Sequence, residues 1–134
     1  MSHNEWQTPP DLIQKLQLEF PFDLDAAASA ENTICPRFIS QEQDALVTPW
    51  DGSCVWLNPP YSMLPAFAAR AVQQYRVHNN TIVCLIPAYT DTRWWRDWVL
   101  EASEIRFLVG RLRFLENGRP KTTARFPSAV VIYR

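Results

Sequence analysis

Two short apolar runs that stop abruptly at proline constrain this chain more than any other feature. Cys54-Val55-Trp56-Leu57 ends at Asn58-Pro59-Pro60, and Thr81-Ile82-Val83-Cys84-Leu85-Ile86 ends at Pro87. A continuous apolar run, rather than an alternating one, is the pattern of a strand covered on both faces. Between them, residues 64–77 carry Leu64, Phe67, Ala68 and Ala71 at helical spacing, so the order is strand, helix, strand. Thr8-Pro9-Pro10-Asp11 opens an earlier helix with Leu12, Ile13, Leu16 and Phe20 on one side, and Pro21 stops it. Proline is tolerated in a first helical turn because its missing N–H would be unpaired there anyway. Phe22 to Asp25 has the pattern of a short strand running into Ala26-Ala27-Ala28-Ser29, and Asp91 to Ala102 that of a helix. Glu104 to Val109 and Ser128 to Tyr133 supply further strands, and Arg111 to Leu115 is another candidate, whereas residues 31–48 show no period. Strands alternating with helices predict an α/β fold, a three-layer sandwich around a mostly parallel, doubly wound sheet. Ligands bind such sheets at the carboxyl ends of their strands, where the loops after Asp25 and Leu57 both fall.

The bulk properties are compatible with that frame. At 134 residues and 47% hydrophobic, the chain has the size of one domain and enough apolar side chains for a buried core. No apolar run approaches the roughly 20 residues of a membrane span, and the polar start Met1-Ser2-His3-Asn4-Glu5 has no secretory pattern. Cys35, Cys54 and Cys84 are odd in number and far apart, which fits free thiols in a reducing cytoplasm better than disulfides or a metal site, and no metal is expected. The net charge of −1 hides an asymmetry. Residues 1–67 hold two basic and nine acidic side chains, while residues 68–134 hold eleven basic and five acidic. A basic half suits a polyanion partner only alongside a catalytic signal.

Asn58-Pro59-Pro60-Tyr61 is that signal, because each residue type has a task in methylating an exocyclic amine. The amino nitrogen of adenine is a poor nucleophile, its lone pair being delocalised into the ring. Hydrogen-bond acceptors for the NH₂ let that lone pair turn toward an electrophile; the Asn58 amide oxygen is one and the Pro59 carbonyl another. Pro59 and Pro60 fix φ and hold both acceptors in place beforehand. Tyr61 offers a flat face for an extruded base. Asn-Pro-Pro is also an ordinary way to end a strand in a turn, and the same loop methylates glutamine amides, so it specifies the chemistry better than the acceptor.

In order along the chain stand Trp6-x-Thr8-Pro9, Phe22-Asp23-Leu24-Asp25-Ala26-Ala27-Ala28, Asp44-Ala45-Leu46, Asn58-Pro59-Pro60-Tyr61-Ser62, Leu85-Ile86-Pro87-Ala88 and Phe107-Leu108-Val109-Gly110-Arg111-Leu112-x-Phe114. From Trp6 to the C-terminus this resembles the phage-type DNA N-6-adenine methyltransferases. The resemblance implies a compact, Rossmann-like methyltransferase fold, S-adenosylmethionine as methyl donor, and adenine in double-stranded DNA, extruded from the helix, as acceptor. It implies that Thr8 and Pro9 meet the donor's methionine end, that Asp25 and Ala26 stand where the first strand reaches the donor, and that Asp44 receives the donor adenine's amino group. Asp25 and Asp44 also suit loop carboxylates that cap turns. Ala26-Ala27-Ala28-Ser29-Ala30 replaces the usual Gly-x-Gly; alanine permits close backbone approach except where φ is positive. Glu31 and Glu42 are the candidates for the donor ribose.

The chain is too short for a separate target-recognition domain, so residues 1–134 are expected to form a single methyltransferase domain that holds DNA with loops of its core. Tyr89 to Arg96 and Arg111 to Arg125 are the candidate segments, with Arg93, Trp94, Arg96, Arg111 and Arg113 combining phosphate contact and base stacking. One of Trp94 and Trp95 is expected in the core instead. Three alternatives stay open: methylation of RNA or of a protein glutamine, a metal-dependent nuclease built on Asp23, Asp25 and Asp44, and an inactive remnant that only binds DNA.

Overall fold

A computed structural model describes residues 7–121 and 123–134; Trp6 and His3 lie outside them. Helix α1 spans Pro10–Glu19, with Pro9 at its N-cap and Pro10 in its first turn, followed by strand β1, Leu24–Asp25. Strand β2 is Cys54–Leu57, helix α2 Leu64–His78 and strand β3 Thr81–Pro87. Asn79 closes α2 in the left-handed conformation (φ 51°), a region asparagine tolerates. Helix α3, Arg93–Trp98, starts at a Thr92 cap whose hydroxyl accepts from Trp95 N, and runs into a 3-10 turn, Val99–Glu101. Strand β4 is Glu104–Phe107, a small hairpin pairs β5 (Leu115–Glu116) with β6 (Arg119–Pro120), and β7 is Ser128–Tyr133.

The main sheet has the order β1-β2-β3-β7-β4. Strands β1, β2 and β3 pair in parallel, while β7 inserts antiparallel between β3 and β4. The expected mostly parallel, doubly wound sheet is therefore corrected to a mixed one, in which the longest ladder, β3 with β7, is antiparallel. A local apolar run encodes burial and not strand direction, so Ser128–Tyr133 looks the same from sequence either way. Because β4 runs antiparallel to β7, it points the same way as β1–β3, and the loops after all four leave one edge of the sheet.

Every residue of β2 and β7 is buried, and alternate side chains enter two cores. Val55, Leu57, Ile82, Cys84, Ile86, Val131 and Tyr133 meet Leu64, Phe67, Ala71 and Val72 of α2 and Trp94, Trp95 and Val99. Cys54, Trp56, Val83, Leu85, Val130 and Ile132 meet Leu16 and Phe20 of α1, with Phe114 and Ala124. At about 1.5–3 kcal/mol per large apolar side chain removed from water, these two layers are the main stabilising contribution. Expected elements also shorten: the strand over Arg111–Leu115 survives only as Leu115–Glu116, because Phe114 turns inward to pack on the sheet instead of extending a ladder.

Candidate active site

Asp25 and Trp56 are register partners, Ala26 N donates to the Trp56 carbonyl at 2.9 Å, and Leu57 pairs with Cys84. The loops after Asp25 and after Leu57 therefore leave the sheet side by side. In the second, Pro59 is buried and Asn58, Pro60 and Tyr61 are half-buried. Pro60 (φ −64°, ψ 128°) leads into a 3-10 turn, Tyr61–Met63, closed by Met63 N donating to the Pro60 carbonyl at 3.0 Å. Asn58 Nδ2 donates to Thr8 Oγ1 at 3.2 Å, which brings the N-terminal motif onto the Asn-Pro-Pro-Tyr loop across fifty residues of sequence.

Tyr61 is set among aromatics. Phe126 meets its ring edge-on at 5.3 Å between centroids and Phe114 at 6.0 Å, while Tyr89 contacts Phe126 at 5.9 Å. Burial pushes the Tyr61 phenol well above its ordinary pKa, so it stays neutral throughout the physiological range. Phe126 is the member sequence reasoning misses, since it belongs to no periodic segment. Its signal was an aromatic between Arg125 and Pro127 in a basic loop, a weak one by itself.

Asp25 is only 3% exposed. Its carboxylate accepts from Ile34 N at 3.1 Å and Ala27 N at 3.4 Å, drawing the loop from Ala26 to Ile34 over itself. Burial raises its pKa to about 7, against the opposing effect of those N–H donors. No positive φ occurs between Ala26 and Ala30, so alanine fills these positions without strain. Asp44 is exposed and left-handed (φ 63°), with Oδ1 accepting from Leu46 N at 2.9 Å. Its turn is anchored on α2 by Arg70, which donates to the carbonyls of Ala45 (3.0 Å) and Thr48 (2.8 Å). Glu31 and Glu42 are exposed.

The carboxylates of the nuclease alternative do not converge. Asp23 is taken up by Ser53 N and Cys54 N, from which it accepts at 3.0 Å each at the start of β2, whereas Asp25 binds the loop that follows β1, and Asp44 binds its own turn. Among the described residues no three Asp, Glu, His or Cys side chains are grouped as a metal site.

The expected DNA contacts separate into two kinds. Arg93, Arg96, Arg111 and Arg113 are exposed. Arg93 follows β3, and Arg111 and Arg113 follow β4, so all three lie in loops or at a helix start on the edge that carries Asn58. Arg96 is paired with Asp97 at 2.9 Å. Trp94 is different: it and Trp95 are both buried in the core under α3, at 9% and 4% exposure. The expectation of a base-stacking Trp94 is corrected, because both indoles face the sheet where only one was expected to.

The sequence profile of the DNA N-6-adenine-methyltransferase (Dam) family matches residues 1–134. The chain belongs to this family. It is 43% identical over 109 residues to the DNA N-6-adenine-methyltransferase of Escherichia phage T1, and 36% identical over 115 residues to that of Haemophilus phage HP1. The matches cover 80% and 84% of this chain but only 45% and 66% of those relatives, so the chain spans less than two-thirds of the length of either. Family membership implies a sulfonium methyl donor, and the residues present fit one. Asp25 is a buried carboxylate with no ion pair to Lys or Arg among the described residues. A cationic ligand beside it would supply the missing charge.

Proposed function

We propose that the protein transfers a methyl group from S-adenosylmethionine to N6 of an adenine extruded from double-stranded DNA. The observation that carries this reading is the placement of the Asn58-Pro59-Pro60-Tyr61 loop at the carboxyl end of β2, beside the Asp25 loop of the adjacent strand. Asp25, Ala26, Thr8 and Pro9 hold the donor on the β1 side, and Asp44 binds the amino group of its adenine. Bound there, the donor supplies a methyl carbon whose bond to sulfur breaks, with its electron pair, as the bond to N6 forms. Asn58 Oδ1 and the Pro59 carbonyl accept hydrogen bonds from the two N6 hydrogens and turn the nitrogen lone pair toward that carbon, and one N6 proton is then lost to solvent. Tyr61 stacks on the extruded base. Arg93, Arg111 and Arg113 neutralise DNA phosphates from the same edge, and Arg96 does so from α3.

Residues 1–134 act in this reading as a single methyltransferase domain in the cytoplasm of a bacterium or infected host, as part of phage DNA modification. No metal takes part. The test supplies labelled S-adenosylmethionine with duplex DNA, RNA or glutamine peptide, and digests the nucleic acids for mass spectrometry. N6-methyladenine in the DNA arm is the expected product. Label confined to RNA or peptide would redirect the substrate, and DNA binding without transfer to any of the three would leave a DNA-binding remnant.

A further inference from the structure

We propose that Val109, backed by Phe107, is the apolar wedge that enters the base stack at the place the target adenine vacates. The inference rests on the reading of this chain as a methyltransferase of duplex DNA. Extruding a base breaks its stacking on both neighbours, and an apolar side chain inserted between base steps offsets that loss. Such a side chain needs full exposure on the face that holds the reacting loop, a fixed backbone, and cationic flanks that grip the phosphates around it.

Val109 is fully exposed, at 103%, and Phe107 is 62% exposed. A lone exposed valine would need no explanation, but the position of this one is particular. Through the registers Leu57–Cys84, Cys84–Val131 and Val131–Ile105, the end of β2 is level with Ile105. Strand β4 therefore carries the chain two residues further out before it ends at Phe107. Val109 follows on the edge that carries Asn58, about 14 Å along it at three strand spacings. A base turned by about 180° about its backbone ends outside the stack, so the pocket that receives it and the group that replaces it must be separate points of one surface.

The backbone on either side of Val109 is held. Leu108 packs in the second core and donates its N–H to the Ser128 carbonyl at 3.0 Å. Phe107 stacks on Trp95 of α3, with ring centroids 6.2 Å apart and planes inclined by 26°. Gly110 turns the chain immediately afterwards in the left-handed region (φ 77°). From Ile105 to Leu115 the sequence holds Arg106, Arg111 and Arg113 and no acidic residue. Arg106 is paired with Glu19 and Glu104, whereas Arg111 and Arg113 are exposed and have no ion pair among the described residues. An apolar tip beside such cations fits a partner that is apolar inside and anionic outside, as a base stack within its phosphates is.

Wild type, Val109→Ser and Val109→Leu together test the wedge. Wild type first methylates mixed-sequence duplex DNA, and the methylated positions define a duplex that carries 2-aminopurine in place of the target adenine. This base fluoresces when it leaves the stack. Wild type and Val109→Leu should raise the fluorescence on binding, and Val109→Ser should lose most of that rise. On the adenine duplex, Val109→Ser should lower kcat/KM about tenfold, but less than about threefold where the target faces a mismatched base, whose extrusion breaks fewer interactions. Thermal melting should be the same in all three proteins, since Val109 is fully exposed. Equal losses on paired and mismatched duplexes would make Val109 an ordinary surface contact. Unchanged fluorescence and rate in Val109→Ser would refute the wedge outright, and a melting midpoint lowered in that variant alone would assign the side chain to the fold. Wild-type protein that methylates no DNA would instead overturn the proposed function, and the wedge with it.

Discussion

Asp25 Oδ2 accepts the backbone N–H of Ile34, nine residues further on, at 3.1 Å, and so one buried carboxylate organises the whole loop between β1 and the Phe38 bridge. The pKa of that carboxyl is raised to about 7 in the fold, from 3.8. The folded state therefore binds a proton that the unfolded state has released between those two values, and this contribution to stability is lost as pH rises through them. The shift corresponds to at most roughly 4 kcal/mol at 1.36 kcal/mol per unit. Thermal melts of wild type should fall in midpoint from pH 5 to pH 7.5, and Asp25→Asn should flatten that slope. A slope equally steep in the variant would assign the effect to another group.

The same carboxyl makes donor binding depend on pH. A sulfonium cation favours ionised Asp25, so affinity for S-adenosylmethionine should rise as pH rises through about 7, the pKa of the free protein. Calorimetry at pH 6 and pH 8 should give tighter binding at the higher pH in wild type and little difference in Asp25→Asn. Affinity independent of pH in wild type would move the donor away from Asp25.

Gly52 has a steric reason that involves the other aspartate. A Cβ there would lie 2.6 Å from Asp23 Oδ1 and 2.9 Å from Leu24 Cβ. That oxygen accepts the Cys54 N–H and so secures the start of β2. Gly52→Ala should cost about 1–3 kcal/mol by overpacking, measured by denaturant melts, and the cost should shrink in an Asp23→Ala background where the oxygen is gone. Full additivity of the two changes would place the strain at Leu24 instead.

What was legible in the sequence followed burial. Cys54–Leu57, residues 64–77, Thr81–Pro87 and Ser128–Tyr133 stand where their apolar patterns put them, because continuous or 3.6-periodic burial is a local property. The direction of β7 is not local; it depends on which neighbour it pairs with. Residues 31–48 lack a period because side chains rather than ladders organise them. Ser29 N donates to Asn32 Oδ1 at 2.7 Å, and Ser40 and Gln43 cap each other reciprocally. At the candidate site, chemistry nominated Asn58 and Tyr61 and the motif resemblance nominated Thr8, but the hydrogen bond joining Thr8 to Asn58 could not be read from sequence. The aromatic setting of Tyr61 by Phe126 required the fold.

Arg93 and Trp94 are neighbours in sequence that should respond oppositely to alanine. Arg93 is exposed and without an ion pair among the described residues, whereas Trp94 is in the core. Arg93→Ala should change stability by less than about 0.5 kcal/mol. Its DNA affinity should fall for every sequence, and the slope of log affinity against log salt should become shallower by about one. Trp94→Ala should lose about 3–5 kcal/mol of stability. A stable Trp94→Ala protein deficient only in DNA binding would restore the indole as a base contact.

Asn58 and Tyr61 divide the proposed mechanism between transition state and ground state. If the Asn58 oxygen accepts from N6 mainly as the new bond forms, Asn58→Ala should lower kcat with little change in KM for DNA. Loss of one preorganised polar partner costs about 2.7–4 kcal/mol, or roughly a hundred- to thousandfold in rate. Tyr61→Ala removes a face on which the base rests before reaction as well as during it. It should weaken DNA binding by the ~1–3 kcal/mol of a base stack and lower the rate too. It also opens the edge-on contacts with Phe114 and Phe126, so its melting point must be measured beside its activity. Tyr61→Phe keeps the face and those ring contacts and should retain much of the rate, since the flat face is what stacking uses. Methyl transfer to duplex DNA from labelled S-adenosylmethionine measures all three. A folded Asn58→Ala protein with near-normal turnover would make the loop a structural turn and move the amine's acceptor elsewhere.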